Sequence, residues 1–227
     1  TDSLTWENAD GQETVFAHIV DPLEQAMFFA NGYLMTFRWL GDLNYKLTIE
    51  DQKDLSHSWE YACVLDQETD TFSGSGVKLE YTQKIEDGYQ GRFTFQDGRN
   101  HLVWLDEKQE DAQNGLTLDR VLEAFTQNVW VKDDTYFLDT MWMNGYYQVR
   151  VSTFDETLCT YLCTYDWDQH ALVAVDVSTV NPETQNIYLD EEVTYGLGTF
   201  VLEDDDHLIW HDASGLAGDG IVLTRSV

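Results

Sequence analysis

Asp and Glu number 42 in this chain against 12 Lys and Arg, so carboxylate chemistry is the first kind to examine. Glycoside hydrolysis needs two carboxyls at a set separation, one of them desolvated so that it stays protonated near neutral pH. No acid here stands alone in an apolar run, as such a general acid would. Glu60 comes closest, but it falls on the polar side of an alternating strand. The acidic runs at 66–70, 133–134, 191–192 and 203–206 could attract calcium loosely, yet none has EF-hand spacing or its pivotal glycine. No His/Cys spacing resembles a zinc site, and nucleophile motifs, a Gly-rich phosphate loop and the GxGxxG fingerprint are all absent. Cys63 and Cys163 share strand faces with tyrosines and apolar residues, the setting of inert thiols. Cys159 and Cys163 are four apart on a strand, roughly 13 Å by strand rise and too far to bond each other. These residues predict no enzyme, no cofactor and no metal site.

The elements that position these residues come in duplicate. Gly91-Arg-Phe-Thr-Phe, His101-Leu-Val-Trp104-Leu-Asp106 and Gly115-Leu-Thr-Leu-Asp-Arg120 reappear as Gly198-Thr-Phe-Val-Leu, His207-Leu-Ile-Trp210-His-Asp212 and Gly220-Ile-Val-Leu-Thr-Arg225. Upstream, Tyr61-Ala-Cys63 matches Tyr161-Leu-Cys163, and Trp39 with Tyr45-Lys-Leu-Thr-Ile49 matches Trp142 with Tyr147-Gln-Val-Arg-Val151. The order is kept throughout, which chance similarity of acidic β sequence would not do. Leu4-Thr-Trp6 followed by Val15-Phe-Ala reads like a third copy of the closing strands. The expected organisation is residues 1–20 as closing strands of a partial or preceding repeat, 21–121 as a first β repeat and 122–227 as a second.

Within a repeat the apolar period is two. Tyr45, Leu47 and Ile49 form one face of a strand; Trp59, Tyr61, Cys63 and Leu65 form the next, and Val77, Leu79 and Tyr81 a third. Acidic and glycine-containing turns separate the strands. The predicted class is all-β: tandem antiparallel meanders of five to eight strands, each curled into a small barrel. Short helices are predicted after the closing strands, at 21–27 and 121–128, where Asp21 can cap and Pro22 can take the first helical position.

The closing pattern is Phe-x-Phe, an acidic turn, Leu-x-Trp-x-Asp, a glycine, and an apolar strand ending in Arg-x-Val or Arg-Val. Together with the Tyr-x-Cys strand, it resembles the tandem lipocalin-like β-barrel repeats of secreted or lipid-anchored bacterial proteins. The lipocalin Gly-x-Trp signature is absent. The resemblance implies a small barrel; where such modules bind anything, the ligand is an apolar small molecule or another protein.

The duplication also filters the aromatics. Trp104 and Trp210, like Trp39 and Trp142, occur in both copies and read as scaffold. Copy-specific aromatics are the candidates for recognition: Trp59 aligns with Cys159, Trp130 with Phe29, and Trp167 with Gln67. Trp167 lies in the turn Asp166-Trp-Asp-Gln-His170, where an indole beside carboxylates and His170 could stack on a sugar or anchor a protein contact. The candidate ligand-binding residues are therefore Trp167, His170, Trp130 and Trp59.

A net charge of −30 repels phosphate backbones and anionic membranes, which speaks against nucleic-acid binding. No apolar run is long enough for a membrane-spanning helix. The expected function is a non-catalytic, secreted or cell-surface binding module whose ligand is a protein or glycan, with any leader peptide lying outside this sequence. The alternatives are a structural spacer of an envelope protein, a lipocalin-like carrier of a small apolar ligand, and, last, an extracellular polysaccharide hydrolase.

Overall fold

The computed structural model describes residues 3–7, 13–17, 21, 23–143, 145–155, 157–180, 187–188, 198–212 and 220–226. The chain is all-β and forms two compact units that divide between Arg120 and Val121. Each unit contains a closed eight-stranded antiparallel barrel.

The chain opens with β1 (Ser3–Glu7) and β2 (Glu13–Ala17), which form a two-stranded sheet of their own. Leu4 faces Phe16 and Trp6 faces Thr14 across it. The first barrel comprises β3 (Met27–Ala30), β4 (Tyr33–Gly41), β5 (Asn44–Asp51), β6 (His57–Asp66), β7 (Thr71–Glu80), β8 (Gln83–Gln96), β9 (His101–Leu105) and β10 (Leu116–Val121). It is a plain meander that closes by β10 lying against β3.

The second barrel uses β11 (Gln127–Lys132), β12 (Tyr136–Met143), β13 (Tyr146–Ser152), β14 (Thr157–Asp166), β15 (Ala171–Val180), β17 (Thr199–Leu202), β18 (His207–His211) and β19 (Ile221–Arg225). Here β11 pairs with β19 and β14 with β15; the short β16 (Ile187–Tyr188) pairs with the far end of β15.

Period-two sequences make these strands because alternate side chains point to opposite faces. The inward residues form the core: Tyr45, Leu47 and Ile49 on β5, with Trp59, Tyr61, Cys63 and Leu65 on β6, are all buried. Both barrels are filled by the same aromatic constellation. Phe93 stacks on Trp104 at 6.4 Å and 14°, and Phe200 stacks on Trp210 at 6.3 Å and 11°. Tyr61 meets Phe93 edge-on at 5.1 Å, and Tyr161 meets Phe200 at 5.4 Å. Tyr33 and Tyr136 stand edge-on to the two tryptophans at 5.7 and 5.8 Å. Glycine makes room for this arrangement. A Cβ at Gly91 would lie 2.8 Å from the Tyr61 ring and 2.6 Å from that of Phe93. Gly198 holds the same place in the second barrel, with the Tyr161 ring 3.7 Å from where its Cβ would be.

Three sequence expectations are corrected. The segments at 21–27 and 121–128 are not helices. The first is a turn in which Asp21 Oδ1 accepts from the Leu23 N–H, and the second contains only a 3-10 turn, Glu123–Phe125. Each leads directly into a strand and leaves no length to offset the cost of helix nucleation. Instead they plug barrel ends with buried Leu23 and Phe125. Trp130 corresponds to Phe28 rather than Phe29: Phe28 faces Met35, Trp130 faces Leu138, and both aromatics are buried. The Val77–Leu79–Tyr81 face also fails to enter the core, because register shifts after Gly76 and Lys78 turn the end of β7 away from the barrel.

Candidate functional site

The last four residues of β7 and the first eight of β8 form an arm. Along the arm β8 is paired with β7, and its hydrogen bonds to β9 run only from Arg92 to Gln96. The two-residue tip, Tyr81-Thr82, joins Glu80 to its partner Gln83. Its φ values are 53° and 110°, close to the 51° and 90° of Asn31-Gly32, the two-residue tip between β3 and β4. Asn-Gly suits such a turn, because asparagine tolerates left-handed φ and glycine carries no Cβ. Tyr-Thr in the same geometry is strained, by about 1–3 kcal/mol per residue. Tyr81 is also 76% exposed, so no core packing offsets that strain.

Beneath this tip lies a cleft of about 520 Å3, lined in part by Glu50, Leu55, His57, Glu60, Leu79 and Tyr81. Leu55, in the loop between β5 and β6, is likewise 76% exposed, and the Tyr81 N–H donates to the Ser56 carbonyl, tying tip and loop together. Hydrogen bonds from Ser56 and His57 hold the Asp54 carboxyl below the usual carboxylate range and stiffen the loop. On the outer face of the sheet Glu60 is opposite Thr48, which puts it diagonal to Glu50, about 7–8 Å away by sheet geometry. Lys46 Nζ lies 2.5 Å from Glu60 Oε1 and neutralises one of the pair. The cleft thus combines an exposed phenol, an exposed leucine and a net carboxylate charge. It suits the aliphatic stem and cationic head of a lysine or arginine.

The second unit repeats part of this arrangement. Its loop between β13 and β14 exposes Phe154 at 88%, in the place that Leu55 occupies between β5 and β6.

A second cluster of polar side chains lies within the first barrel. Tyr61 Oη donates to Asp106 Oδ2 at 3.1 Å, and the Lys108 N–H donates to Asp106 Oδ1 at 2.9 Å. Tyr33 donates to Asp111, and Tyr89 donates to Glu86 Oε2 at 2.8 Å. Three phenols, from β4, β6 and β8, therefore fasten the loop that follows β9, directly or through Glu86 and its partner Lys108. Burial, helped by the neighbouring carboxylates, pushes the Tyr33 and Tyr61 phenols far above their ordinary range. Such phenols stay protonated and act as struts. Asp212 is buried at the position equivalent to Asp106.

The residues singled out from the sequence fall in different places. Trp59 is 3% exposed inside the first barrel, with Lys78 Nζ 5.2 Å from its ring, and Trp130 is fully buried inside the second. Trp167 and His170 share one turn. Trp167 is half-buried and packs edge-on against Tyr165 at 4.8 Å, while His170 is exposed at a φ of 51°. The structure therefore brings together only this last pair. Of the acidic runs, 191–192 lies outside the described residues. Among the described residues no three His, Cys, Asp or Glu side chains converge to hold a metal ion. No described helix is long and apolar enough to cross a membrane.

The Tyr81 cleft was not legible in the sequence. Its signal was a negative one, a hairpin tip without glycine or asparagine. No protein-family model, curated protein or solved structure matches this chain.

Proposed function

We propose that this protein is a non-catalytic binding module of a secreted or cell-surface protein, and that its ligand is an extended, cationic protein segment received at the Tyr81 cleft. One observation carries this reading. In both units the loop between equivalent strands holds a large apolar side chain out in solvent, Leu55 or Phe154, and in the first unit a strained tip sets Tyr81 beside it. An isolated exposed leucine means little, but a duplicated one next to a strained, exposed tyrosine points to recognition.

Other features favour binding over chemistry or carriage. Among the described carboxylates, every resolved shift is downward, produced chiefly by hydrogen bonds to Asp54, Asp66, Glu86, Asp166 and Asp204. A general acid for glycoside hydrolysis needs the opposite shift. The aromatic stacks that fill both barrels occupy the space a carried apolar ligand would need.

The test replaces Tyr81-Thr82 with Asn-Gly. Removing the strain at both residues is expected to stabilise the fold by about 2 kcal/mol or more, read as a higher urea midpoint. A short alternating Lys–Leu peptide should shift the NMR resonances of Leu55 and Tyr81 in the parent protein but leave Leu55 unmoved in the Asn-Gly variant. An alternating Glu–Leu peptide should do nothing. If the Lys–Leu peptide leaves the cleft unperturbed, the peptide reading fails. A cello-oligosaccharide that shifts Trp167 instead would move the site to the Asp166–His170 turn and favour a glycan.

A further inference from the structure

Cross-strand pairs on the outer wall of each barrel can be compared rung by rung. In the first barrel Thr71 faces Thr94, Thr94 faces Val103, and Val103 faces Thr117. The Thr71 and Thr94 hydroxyls bond each other at 3.1 Å, a water-compatible ladder. The same rung in the second barrel reads Ala171–Val201–Ile209–Val222. One position along, Arg92 is replaced by Thr199 and Asp119 by Thr224. At the changed outward positions of β17 and β19 threonine has become aliphatic and charge has become neutral. Only past the end of β17 does the change reverse, with Glu203 in place of Gln96. Val222 is 43% exposed, and Val201 and Ile209 are half-buried.

The outward positions here are Thr199 and Val201 on β17, His207, Ile209 and His211 on β18, and Val222 and Thr224 on β19. None is a carboxylate, in a chain whose net charge is −30. The described acids that flank these strands in sequence lie at the rim of the wall. They are Glu203, which follows β17 and whose N–H donates to the His207 carbonyl, Asp204 to Asp206 in the turn before β18, where Asp204 pairs with His207 at 2.8 Å, and Asp212, buried after β18. A cationic partner would gain most from acid-rich surface and would forfeit that gain on this wall. A partner carrying the same negative charge is different: it can approach only where carboxylates have been removed. A second copy of this chain meets that condition by definition. A two-fold contact also sets one patch against itself, so a patch without carboxylates brings no like charges together across the axis.

We propose that the outer wall formed by β17, β18 and β19 is the surface through which two copies of this chain associate as a two-fold dimer. The proposal does not depend on the cleft in the first unit. Long-range repulsion between the copies opposes the contact, so association should strengthen as salt screens it. At about 1 M salt the Debye length falls to about 3 Å, while the apolar contact persists.

The experiment is sedimentation equilibrium of the full chain across protein concentration at low and high salt. A solution mass that doubles as concentration and salt rise is the expected result. The variant Val201→Thr/Val222→Thr installs the residues that the first barrel carries at these rungs, so it is compatible with the fold, and unchanged far-UV circular dichroism and urea midpoint would verify this. It should remain at monomer mass under every condition. A parent chain that stays monomeric at high salt overturns the proposal. So does a dimer that survives in the double-threonine variant, because that dimer uses another surface.

Discussion

The two barrels are built on one plan and solve its packing problem differently. The constant part is the stack of Tyr61, Phe93 and Trp104 in one and Tyr161, Phe200 and Trp210 in the other, with a glycine facing each tyrosine. The variable part lies beneath the stack. Phe28, Phe37, Phe72 and Phe95 contact one another there in the first barrel. The second barrel has Trp130, Thr140, Leu172 and Leu202 at those positions. One larger ring and three smaller side chains replace four phenylalanines. Thr140 is buried, and its hydroxyl donates to the Asn128 carbonyl at 3.2 Å. The difference teaches that the upper stack sets the architecture, while the lower layer tolerates exchange, one ring growing as its neighbours shrink.

The largest expected effect is therefore in the constant layer. Trp104→Ala and Trp210→Ala should each cost about 3–5 kcal/mol, read as a loss of urea stability in the affected barrel. Near-neutral behaviour of either would sink the claim that the two stacks are equivalent. The lower layer is probed by a cycle: Phe37→Thr alone should cost about 2–4 kcal/mol through the cavity it leaves. Combined with Phe28→Trp, as in the second barrel, the loss should be smaller than the sum of the two single changes. Strict additivity would show that the lower layer is not a compensating set.

Smaller still is Tyr61→Phe. It withdraws one of two bonds from buried Asp106 and should cost about 1–3 kcal/mol, measured by the same denaturation.

The cysteines allow the barrels to be followed separately. Burial raises the Cys63 and Cys163 thiols to about 12 and Cys159 to about 11. At pH 8 all three should therefore resist a thiol reagent until their barrel opens, with Cys63 reporting on one barrel and Cys159 and Cys163 on the other. Prompt labelling of native protein would contradict the packing described.

The gentlest probe is His207, whose pKa is raised above 6.5 by the Asp204 carboxylate. The imidazolium's contribution to stability is complete below the unfolded value of about 6.5 and is lost as pH rises through the folded value. Asp204, held low by His207, contributes above its unfolded pKa and loses that contribution as pH falls through its folded one. The pair thus acts between those limits. Asp204→Asn should return the His207 NMR titration toward the ordinary value. His101, the matching residue in the first barrel, pairs with Asp119 on β10 instead.

Much of this fold was legible in advance because period-two alternation and duplicated order both follow from inward packing. Trp104, Trp210 and the Tyr-x-Cys strands lie where a core face requires them, whereas Trp39 and Trp142 are only half-buried. What the sequence concealed was set by geometry between strands. Register shifts after Gly76 and Lys78 turned an apparently apolar face outward. A turn of Tyr-Thr gave no glycine or asparagine signal, and Phe28 rather than Phe29 proved to be the equivalent of Trp130. The candidate site suffered most. Trp59 and Trp130 are each unique to one copy, yet both are buried core side chains. The binding candidates in the first unit lie in loops, where no periodic pattern announces them.

One consequence follows from how β8 is held. Between Gln83 and Gly91 its outer rim lacks a β9 partner, and Lys108 crosses that rim to bond the Asp87 carbonyl and pair with Glu86 at 2.8 Å. A lone backbone rim of this kind invites fibril growth by templating further strands. The lysine sits across that route as a gatekeeper, its charge and its bond to the Asp87 carbonyl standing where an added strand would have to pair.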